Sequence, residues 1–227
     1  MIPVLGVPTL ARPDRLAEMV ASIDAPVGRL VIVDNGGGSA DGVAPGAWHV
    51  RLPSNIGVAA SWNLVIRTSP LAPWWALVND DVVLAPGDLA RLSESMERPG
   101  PRVSAMDGFA CFALNRACVD AVGLFDENYF PAYVEDCDYE RRCALAGVPI
   151  GRVPAGLRHA RSSTIALDWA RRGNDRTHPS NLAYHRRKWG GSPRGGESLT
   201  TPFGAGGSVR DWSLDLARVA DGQWERP

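Results

Sequence analysis

One stretch of the sequence, WWALVNDD at residues 74–81, largely determines which fold to expect. Its five apolar residues predict a short buried strand, which ends on an amide and two carboxylates. A second stretch, LVIVDNG at residues 30–36, has the same form, because its apolar run leads directly into Asp34 and Asn35. The chain is therefore expected to contain at least two buried strands that end on polar residues.

Helical patterns separate these strands. Further strands are predicted at residues 4–7, where Pro8 breaks the run, and at 48–52, with helices at residues 13–23, 58–67 and from Pro86 onward. Strands that alternate with helices favour an α/β domain with a mostly parallel central sheet. Ligands of such sheets bind beyond the carboxyl ends of the strands. Asp34 and the group Asn79, Asp80 and Asp81 are therefore where a site is expected.

The second half of the chain is less regular. A strand is predicted at residues 109–114, helices at 115–122 and 135–146, and further helices from Ser162 or Ser163 to Arg172 and over 179–188. From Gly190 onward the chain is rich in Gly, Ser and Pro, before a short segment at 212–219. We predict a domain over residues 1–165 and a C-terminal helical extension with a Gly-rich tail over 166–227. We expect this extension to wrap the domain or to contact a second copy in a homodimer.

Composition excludes several classes of protein. The 227 residues are 45% hydrophobic and carry a formal net charge of −1, which is unlike disordered or fibrous chains. No apolar run reaches the roughly 20 residues of a membrane helix, and no secretory signal is visible, so we expect a cytoplasmic protein without a membrane span. The four cysteines lack CxxC spacing and are expected to be reduced and mostly buried.

The charges that add up to this near-neutral net charge are unevenly distributed along the chain. Residues 120–140 hold seven acidic side chains and no basic one, whereas residues 141–194 hold twelve basic and two acidic side chains. Four of the acids, Glu135, Asp136, Asp138 and Glu140, recur at helical spacing. Like charges so placed repel, and a cation, nearby arginines or protonation would compensate them. An acidic first helical turn, which the helix dipole favours, is the alternative explanation for Glu135 and Asp136.

Chemistry alone leaves the strand ends ambiguous. Mg²⁺ and Mn²⁺ take one or two protein carboxylates together with phosphate oxygens and water, so Asp80 and Asp81 suit a metal site. A turn in which an Asp caps the next helix is the competing interpretation, and His159 taken alone is more typical of a structural histidine. The motifs GxGxxG, GxxxxGK[ST] and GxSxG are absent, which disfavours dinucleotide binding, P-loop chemistry and serine hydrolysis.

Six segments, in this order, resemble family 2 glycosyltransferases and their relatives of the GT-A fold. They are residues 31–36, 55–63, 77–87 and 108–116, the pair of segments 123–127 and 135–138, and His159. The resemblance covers about residues 1–165. It implies a Rossmann-like three-layer sandwich and an enzyme that transfers a sugar, with inversion, from a nucleotide-diphosphate donor to an acceptor hydroxyl.

The resemblance also implies residue roles. Asp34 would contact the nucleotide base, and Asp81 and His159 would hold a Mn²⁺ or Mg²⁺ ion against the donor diphosphate. The implied donor-binding residues are Thr9, Arg12, Asp34, Asn55, Gly57, Asn63, Asn79 and Asp80. Asp136 or Glu135 would be the general base, with Asp136 favoured. The donor would be a UDP-, TDP- or GDP-linked sugar, and the acceptor a glycan, a lipid-linked molecule or a protein.

The sequence departs from the family in three places. Ala11 replaces the Asn of a T-x-N-R segment, Asn79 replaces the first carboxylate of the metal-binding motif, and the chain between Leu92 and Gly108 is short. A GT-A-shaped binding or assembly protein without catalysis is therefore an alternative. A nucleotidyltransferase would need a lysine near the N-terminus, but Lys188 is the only lysine. The arginines of residues 141–194 could face nucleic acid or anionic lipid, but no recognition motif accompanies them, so no nucleic-acid partner is expected.

Overall fold

The computed structural model describes residues 1–38, 40–160 and 168–204. The helices are α1 (Pro13–Ala21), α2 (Val58–Thr68), α3 (Asp88–Met96), α4 (Arg116–Val122), α5 (Glu135–Leu145) and α6 (Asp168–Trp189). The strands are β1 (Leu5–Thr9), β2 (Leu30–Asp34), β3 (Trp48–Arg51), β4 (Trp74–Val78), β5 (Val82–Val83), β6 (Val103–Ala105), β7 (Cys111–Asn115), β8 (Ile150–Arg152) and β9 (Arg158–His159).

Seven of these strands form one central sheet in the order β3-β2-β1-β4-β7-β6-β8. The first four strands are parallel, β7 is antiparallel to both β4 and β6, and β8 is parallel to β6. Strands β5 and β9 pair separately as a two-stranded sheet. The expected α/β architecture with a mostly parallel central sheet is confirmed.

Apolar side chains cover both faces of the sheet. One cluster joins Val7 and Ile32 to Leu16 of α1 and Leu92 of α3. The other joins alternate sheet residues such as Phe112 to side chains of α2, α4 and α5, namely Trp62, Val65, Cys118 and Tyr139. Successive residues of a strand point to opposite faces, so one sheet separates the two clusters. The result is a three-layer sandwich.

Strand β1 continues through Pro8, where the sequence predicted a break. Leu5 N donates to Arg29 O and Thr9 O accepts from Asn35 N, so odd-numbered residues of β1 bond to the β2 side. Pro8 therefore faces β4, and the β1–β4 pairing ends at Gly6. Because no ladder bond is required from Pro8 at this position, its missing N–H costs nothing there. The strand can thus deliver Thr9 to the edge of the sheet.

The C-terminal part differs from the prediction in one element. A single helix, α6, runs from Asp168 to Trp189 with Pro179 inside it, where two helices were expected. The predicted helix caps Ser162 and Ser163 and the segment at residues 212–219 lie outside the described residues. Among the residues that the structure describes, no helix is long and apolar enough to cross a membrane.

Candidate functional site

The ends of β1 and β4 meet at one edge of the sheet, as expected for parallel neighbours. There the Thr9 hydroxyl Oγ1 donates to Asp80 Oδ2 at 2.7 Å. Asp80 is 7% exposed, and burial raises its pKa to about 7, against the lowering effect of the Thr9 bond. The charge of Asp81 raises the same pKa further. The Asp80 side chain is therefore held against β1. Asp81 is the next residue and directly precedes β5.

Asp81 lies beside His159 because the short strands β5 and β9 pair. Val82 is opposite His159 in that ladder, and Ala160 N donates to the backbone oxygen of Asp81 at 2.9 Å. The side chains are also close, with His159 Nε2 3.2 Å from Asp81 Oδ1. Hydrogen bonds to Asp81 and to Asp107 raise the pKa of His159, although burial opposes the rise. The two residues predicted as metal ligands are thus brought together.

A third side chain, Asp107, completes this cluster and was missed by the sequence analysis. Asp107 Oδ2 is 2.7 Å from His159 Nδ1, so the imidazole lies between two carboxylates. Asp107 is in the β6–β7 hairpin, and because β7 is antiparallel to β4, Ala110 O accepts from Asn79 N at 2.8 Å. The Asp107-Gly108 dipeptide is a hairpin-turn signal that could have placed Asp107 at this edge.

The side chains of Asp81, His159 and Asp107 fit the ligand preferences of a divalent ion in part. In the described residues, no group of three or more His, Cys, Asp or Glu side chains is arranged to hold a metal outright. Mg²⁺ and Mn²⁺, however, often take few protein ligands and complete their shell with phosphate oxygens and water. Asn79 Oδ1, next in the chain to Asp80, is buried without a hydrogen-bond partner. An unsatisfied oxygen two residues before Asp81 in the chain is consistent with an incomplete ligand set that a diphosphate would complete.

Asp34 is fully buried and organises the loop that follows β2. Its Oδ1 accepts from Gly36 N at 2.7 Å, and its Oδ2 accepts from Gly38 N and Ala40 N at 3.0 and 2.9 Å. The next residue, Asn35, accepts from Ile56 N through its side-chain oxygen. These bonds fix the loop against the start of α2. Contact between Asp34 and a nucleotide base stays a prediction.

Three of the predicted donor-binding residues have structural contacts at α2. Asn55 Oδ1 accepts from Gly57 N at 2.8 Å. Gly57 has φ +86°, and a Cβ there would lie 2.9 Å from Pro131 O, so this position requires glycine. The buried Asn63 donates to Phe125 O and Glu127 Oε1 and accepts from Phe125 N. These contacts attach residues 125–131 to α2, and donor contacts by the same residues stay predictions.

Ala11, where the sequence departs from the T-x-N-R pattern, lies in the loop after β1. Ala11 has φ +54°, in the left-handed region that Asn tolerates better than other non-glycine residues. The backbone therefore retains the conformation that suits the Asn of the family motif. Next to it, the Arg12 guanidinium bonds Asp14 through Nε and Nη2, at 2.9 and 2.7 Å. This hydrogen bond lowers the pKa of Asp14 to about 2.

The two candidate bases at the start of α5 have different surroundings. Glu135 is 6% exposed, its Oε2 has no hydrogen-bond partner, and burial, followed by the charge of Asp136, raises its pKa to about 8. Asp136 is more exposed, accepts from Cys137 N at 2.8 Å and pairs with Arg194 Nη2 at 2.9 Å. Both follow Val134, whose φ of +77° is unusual for a β-branched residue.

Three further acids of residues 120–140, namely Asp126, Asp138 and Glu140, pair with basic residues from later in the chain. Lys188 Nζ lies 2.8 Å from Asp126 Oδ2 and 2.6 Å from Asp138 Oδ1, with all three side chains fully buried. Arg142 also pairs with Asp138, at 2.8 Å. Arg194 pairs with Glu140 at 3.0 Å. Nearby arginines were one of the three expected means of compensation, with a cation and protonation, but the role of the single lysine was not expected.

Comparisons with known protein sequences match a short part of the chain. No protein-family model matches the chain. Among curated proteins, a galactofuranosyl glycosyltransferase of Leishmania donovani is 56% identical over 41 residues, which are 18% of this chain and only 9% of that protein.

Solved structures resemble most of the chain. The catalytic domain of Drosophila β1,4-galactosyltransferase 7 with xylobiose has a TM-score of 0.51 and 16% identity, covering 71% of each chain. S. aureus TarS 1–349 has a TM-score of 0.53 and 11% identity, covering 81% of this chain and 74% of that one. A mutant of the Drosophila protein in complex with manganese, UDP-Gal and xylobiose has a TM-score of 0.50 and 14% identity, covering 72% of each chain. The sheet order and these neighbours together show that the chain has the fold of the GT-A glycosyltransferases.

Proposed function

We propose that the protein is a metal-assisted, inverting glycosyltransferase that uses a nucleotide-diphosphate sugar. The observation that carries the proposal is the contact between Asp81 and His159 at the carboxyl edge of the β1–β4 strand pair. A carboxylate and an imidazole at this edge suit Mn²⁺ or Mg²⁺, and the edge is where ligands of such sheets bind. When bound, the ion would neutralise charge on the leaving diphosphate.

The chain's own residues would hold and orient the donor. Asp80, fixed by Thr9, and Asn79, whose side-chain oxygen is unsatisfied, directly precede Asp81 in the chain. The loop that Asp34 organises lies at the end of the neighbouring strand β2 and would enclose the nucleotide. The pKa of the Arg12 guanidinium is raised mainly by its hydrogen bond to Asp14, and the charges of Asp80 and Asp81 add to the rise. Arg12 would therefore face the donor phosphates.

A carboxylate at the start of α5 would take the proton of the acceptor hydroxyl. Asp136 is the more exposed of the two candidates, which favours access to an acceptor, although Arg194 pairs with it. In this proposal the Arg194 guanidinium leaves Asp136 when the acceptor binds. It then contacts water or an anionic group of the acceptor. The Asp136 carboxylate then accepts the proton as the hydroxyl oxygen bonds to the anomeric carbon, while the bond from that carbon to the nucleoside diphosphate breaks.

The named relatives indicate which donors to test first. One curated relative is named a galactofuranosyl glycosyltransferase, and one similar structure contains UDP-Gal. We therefore place UDP-galactofuranose and UDP-galactose ahead of TDP- and GDP-linked sugars. The acceptor class is left open among glycans, lipid-linked molecules and proteins.

The first experiment measures binding of UDP, TDP and GDP by calorimetry, with and without Mn²⁺. We expect at least one nucleoside diphosphate to bind more tightly with the metal, and Asp81→Ala to abolish that difference. Asp120→Ala is the matched control, because Asp120 is an exposed carboxylate on α4. Equal binding with and without Mn²⁺ for all three nucleotides would contradict the proposal.

The second experiment is a hydrolysis screen with the corresponding sugar nucleotides. Turnover that Asp136→Asn removes, with nucleotide binding retained, would support Asp136 as the base. Turnover that survives in Asp136→Asn but is lost in Glu135→Gln would assign the base to Glu135. Metal-dependent nucleotide binding without turnover on any donor would favour the non-catalytic binding protein.

A further inference from the structure

We infer that Asp107 is the positioning residue that orients His159 toward the metal side of the site. The inference rests on the proposed function, because it concerns the same His159. Asp107 Oδ2 lies 2.7 Å from one ring nitrogen, Nδ1, and the other, Nε2, lies 3.2 Å from Asp81 Oδ1. A ring held in this way presents Nε2 on the side where the proposed ion would meet the Asp81 carboxylate.

The two distances rank the hydrogen bonds of the imidazole. The Nδ1 contact with Asp107 is 0.5 Å shorter than the Nε2 contact with Asp81, at 2.7 against 3.2 Å. A bond of 2.7 Å lies at the short end for charge-assisted pairs, whereas 3.2 Å is at the long end. In the neutral ring the single proton therefore belongs on Nδ1. That arrangement leaves the lone pair on Nε2, as ligation by Nε2 requires.

The fold holds Asp107 independently of His159. Met106 N donates to Cys111 O, and Ala110 N donates to Asp107 O, so backbone bonds close the β6–β7 hairpin on both sides of Asp107. The hairpin is tied to the strand end by the bond from Asn79 N to Ala110 O. His159 arrives from a separate element, β9, through its pairing with β5. Asp107 is thus a fixed acceptor against which the ring is set.

Carboxylate–histidine pairs of this kind raise the basicity of the ligating nitrogen and fix the ring orientation, and their loss commonly weakens metal binding by about 10- to 100-fold. We expect Asp107→Ala to weaken Mn²⁺ binding by about that factor in the presence of UDP. Asp107→Asn should recover most of the affinity, because the amide oxygen still accepts from Nδ1–H. UDP binding measured without metal should not change in either variant.

The test combines two measurements on the full chain. Manganese binding is followed by the electron paramagnetic resonance of free Mn²⁺ with saturating UDP, for the wild type, both Asp107 variants and Asp120→Ala. The His159 tautomer is followed by ¹⁵N NMR of metal-free, UDP-free protein, at a pH where the ¹⁵N shifts themselves show that the ring is neutral. The expected signature is a proton on Nδ1 in the wild type. In Asp107→Ala the proton should move to Nε2, since Asp81 is then the acceptor that remains.

The outcomes separate this inference from the proposed function. An unchanged tautomer in Asp107→Ala, or unchanged Mn²⁺ affinity, would overturn the role of Asp107 even if nucleotide binding depends on metal. If the wild type binds no UDP in a metal-dependent way, the proposed function fails. The tautomer shift would still show in that case that Asp107 orients His159. Circular dichroism of each variant checks that the fold is retained.

Discussion

At the scale of single residues, Glu135 is a carboxyl group in a setting that opposes its ionisation. Its side chain is buried, one oxygen has no hydrogen-bond partner, and the neighbouring Asp136 adds a like charge. The start of α5 would ordinarily favour a negative charge through the helix dipole. Burial outweighs that effect, since the pKa is raised from 4.5 to about 8. Glu135 is therefore expected to be protonated at neutral pH when no ligand is bound.

This pKa gives a signed prediction for stability. Between pH 4.5 and about 8 the folded protein keeps a proton on Glu135 that the unfolded chain releases, so the free energy of unfolding falls as pH rises. Glu135→Gln cannot ionise. It should therefore become more stable relative to the wild type as pH rises through this window, by at most about 1.4 kcal/mol per pH unit.

Urea unfolding at pH 5, 6, 7 and 8 measures the difference. Parallel stability curves for the two proteins would contradict the prediction, and Glu97→Gln, at an exposed position, is the control.

Some residue contacts could be predicted from the sequence and others could not. Asp81 and His159 were paired through a family resemblance, and the β5–β9 ladder then explains their contact. Asp107 was missed because its partner lies 52 positions along the chain, and no local pattern reports so distant a contact. The Lys188 network has the same origin, with 62 positions between Lys188 and Asp126.

At the scale of elements, long patterns were informative and short ones were not. Helices α2 and α5 and strand β4 were predicted to within a residue or two, because each carries a continuous periodic or apolar signal. Strands β5 and β9 have two residues each, too few to show any alternation. They exist because neighbouring segments are held together, so their position depends on tertiary contacts that the sequence pattern does not contain.

Asp88 is the side chain that holds these two segments together. Its Oδ2 accepts from Ala85 N at 2.8 Å, just after β5, and its Oδ1 accepts from Gly156 N at 3.0 Å, just before β9. Arg91 pairs with the same carboxylate and also donates to Pro154 O at 3.1 Å. One buried carboxylate therefore links the segment that follows Asp81 to the segment that delivers His159.

Removing this link should be costly. Asp88→Ala leaves the amides of half-buried Ala85 and exposed Gly156 without their acceptor, so we expect a loss of about 1–2 kcal/mol in the free energy of unfolding. Glu94→Ala, at an exposed position of the same helix, should change it by less than about 0.5 kcal/mol. Urea denaturation of both variants measures the contrast, and equal effects would show that Asp88 is not a structural link. Faster amide hydrogen exchange at Gly156 in Asp88→Ala would locate the effect.

At the scale of the whole molecule, the near-neutral net charge includes opposite contributions from an acidic block, residues 120–140, and a basic block, residues 141–194. Side chains of the two blocks contact each other. Part of the basic excess of residues 141–194 is directed inward, because Lys188 and Arg142 meet the buried acids Asp126 and Asp138. Burial works to raise the pKa of Asp138, and the charges of Arg142 and Lys188 hold it below its ordinary value. Helix α6 is thus attached to the acidic block by ion pairs as well as by the buried Trp189, whose Nε1 donates to Asp138 at 2.7 Å.

Lys188 should therefore be the residue on which the attachment of α6 most depends. Lys188→Met keeps the length of the side chain but leaves two buried carboxylates short of a positive partner, and such a break commonly costs about 3–5 kcal/mol. Arg186→Met, at an exposed position of the same helix, should have little effect.

Adding Asp126→Asn to Lys188→Met removes one of the uncompensated charges and should restore part of the loss. Thermal and urea unfolding of the four proteins, including the wild type, measure these differences. If Lys188→Met is no less stable than Arg186→Met, or if Asp126→Asn restores nothing, compensation of the acidic block does not hold the C-terminal helix in place.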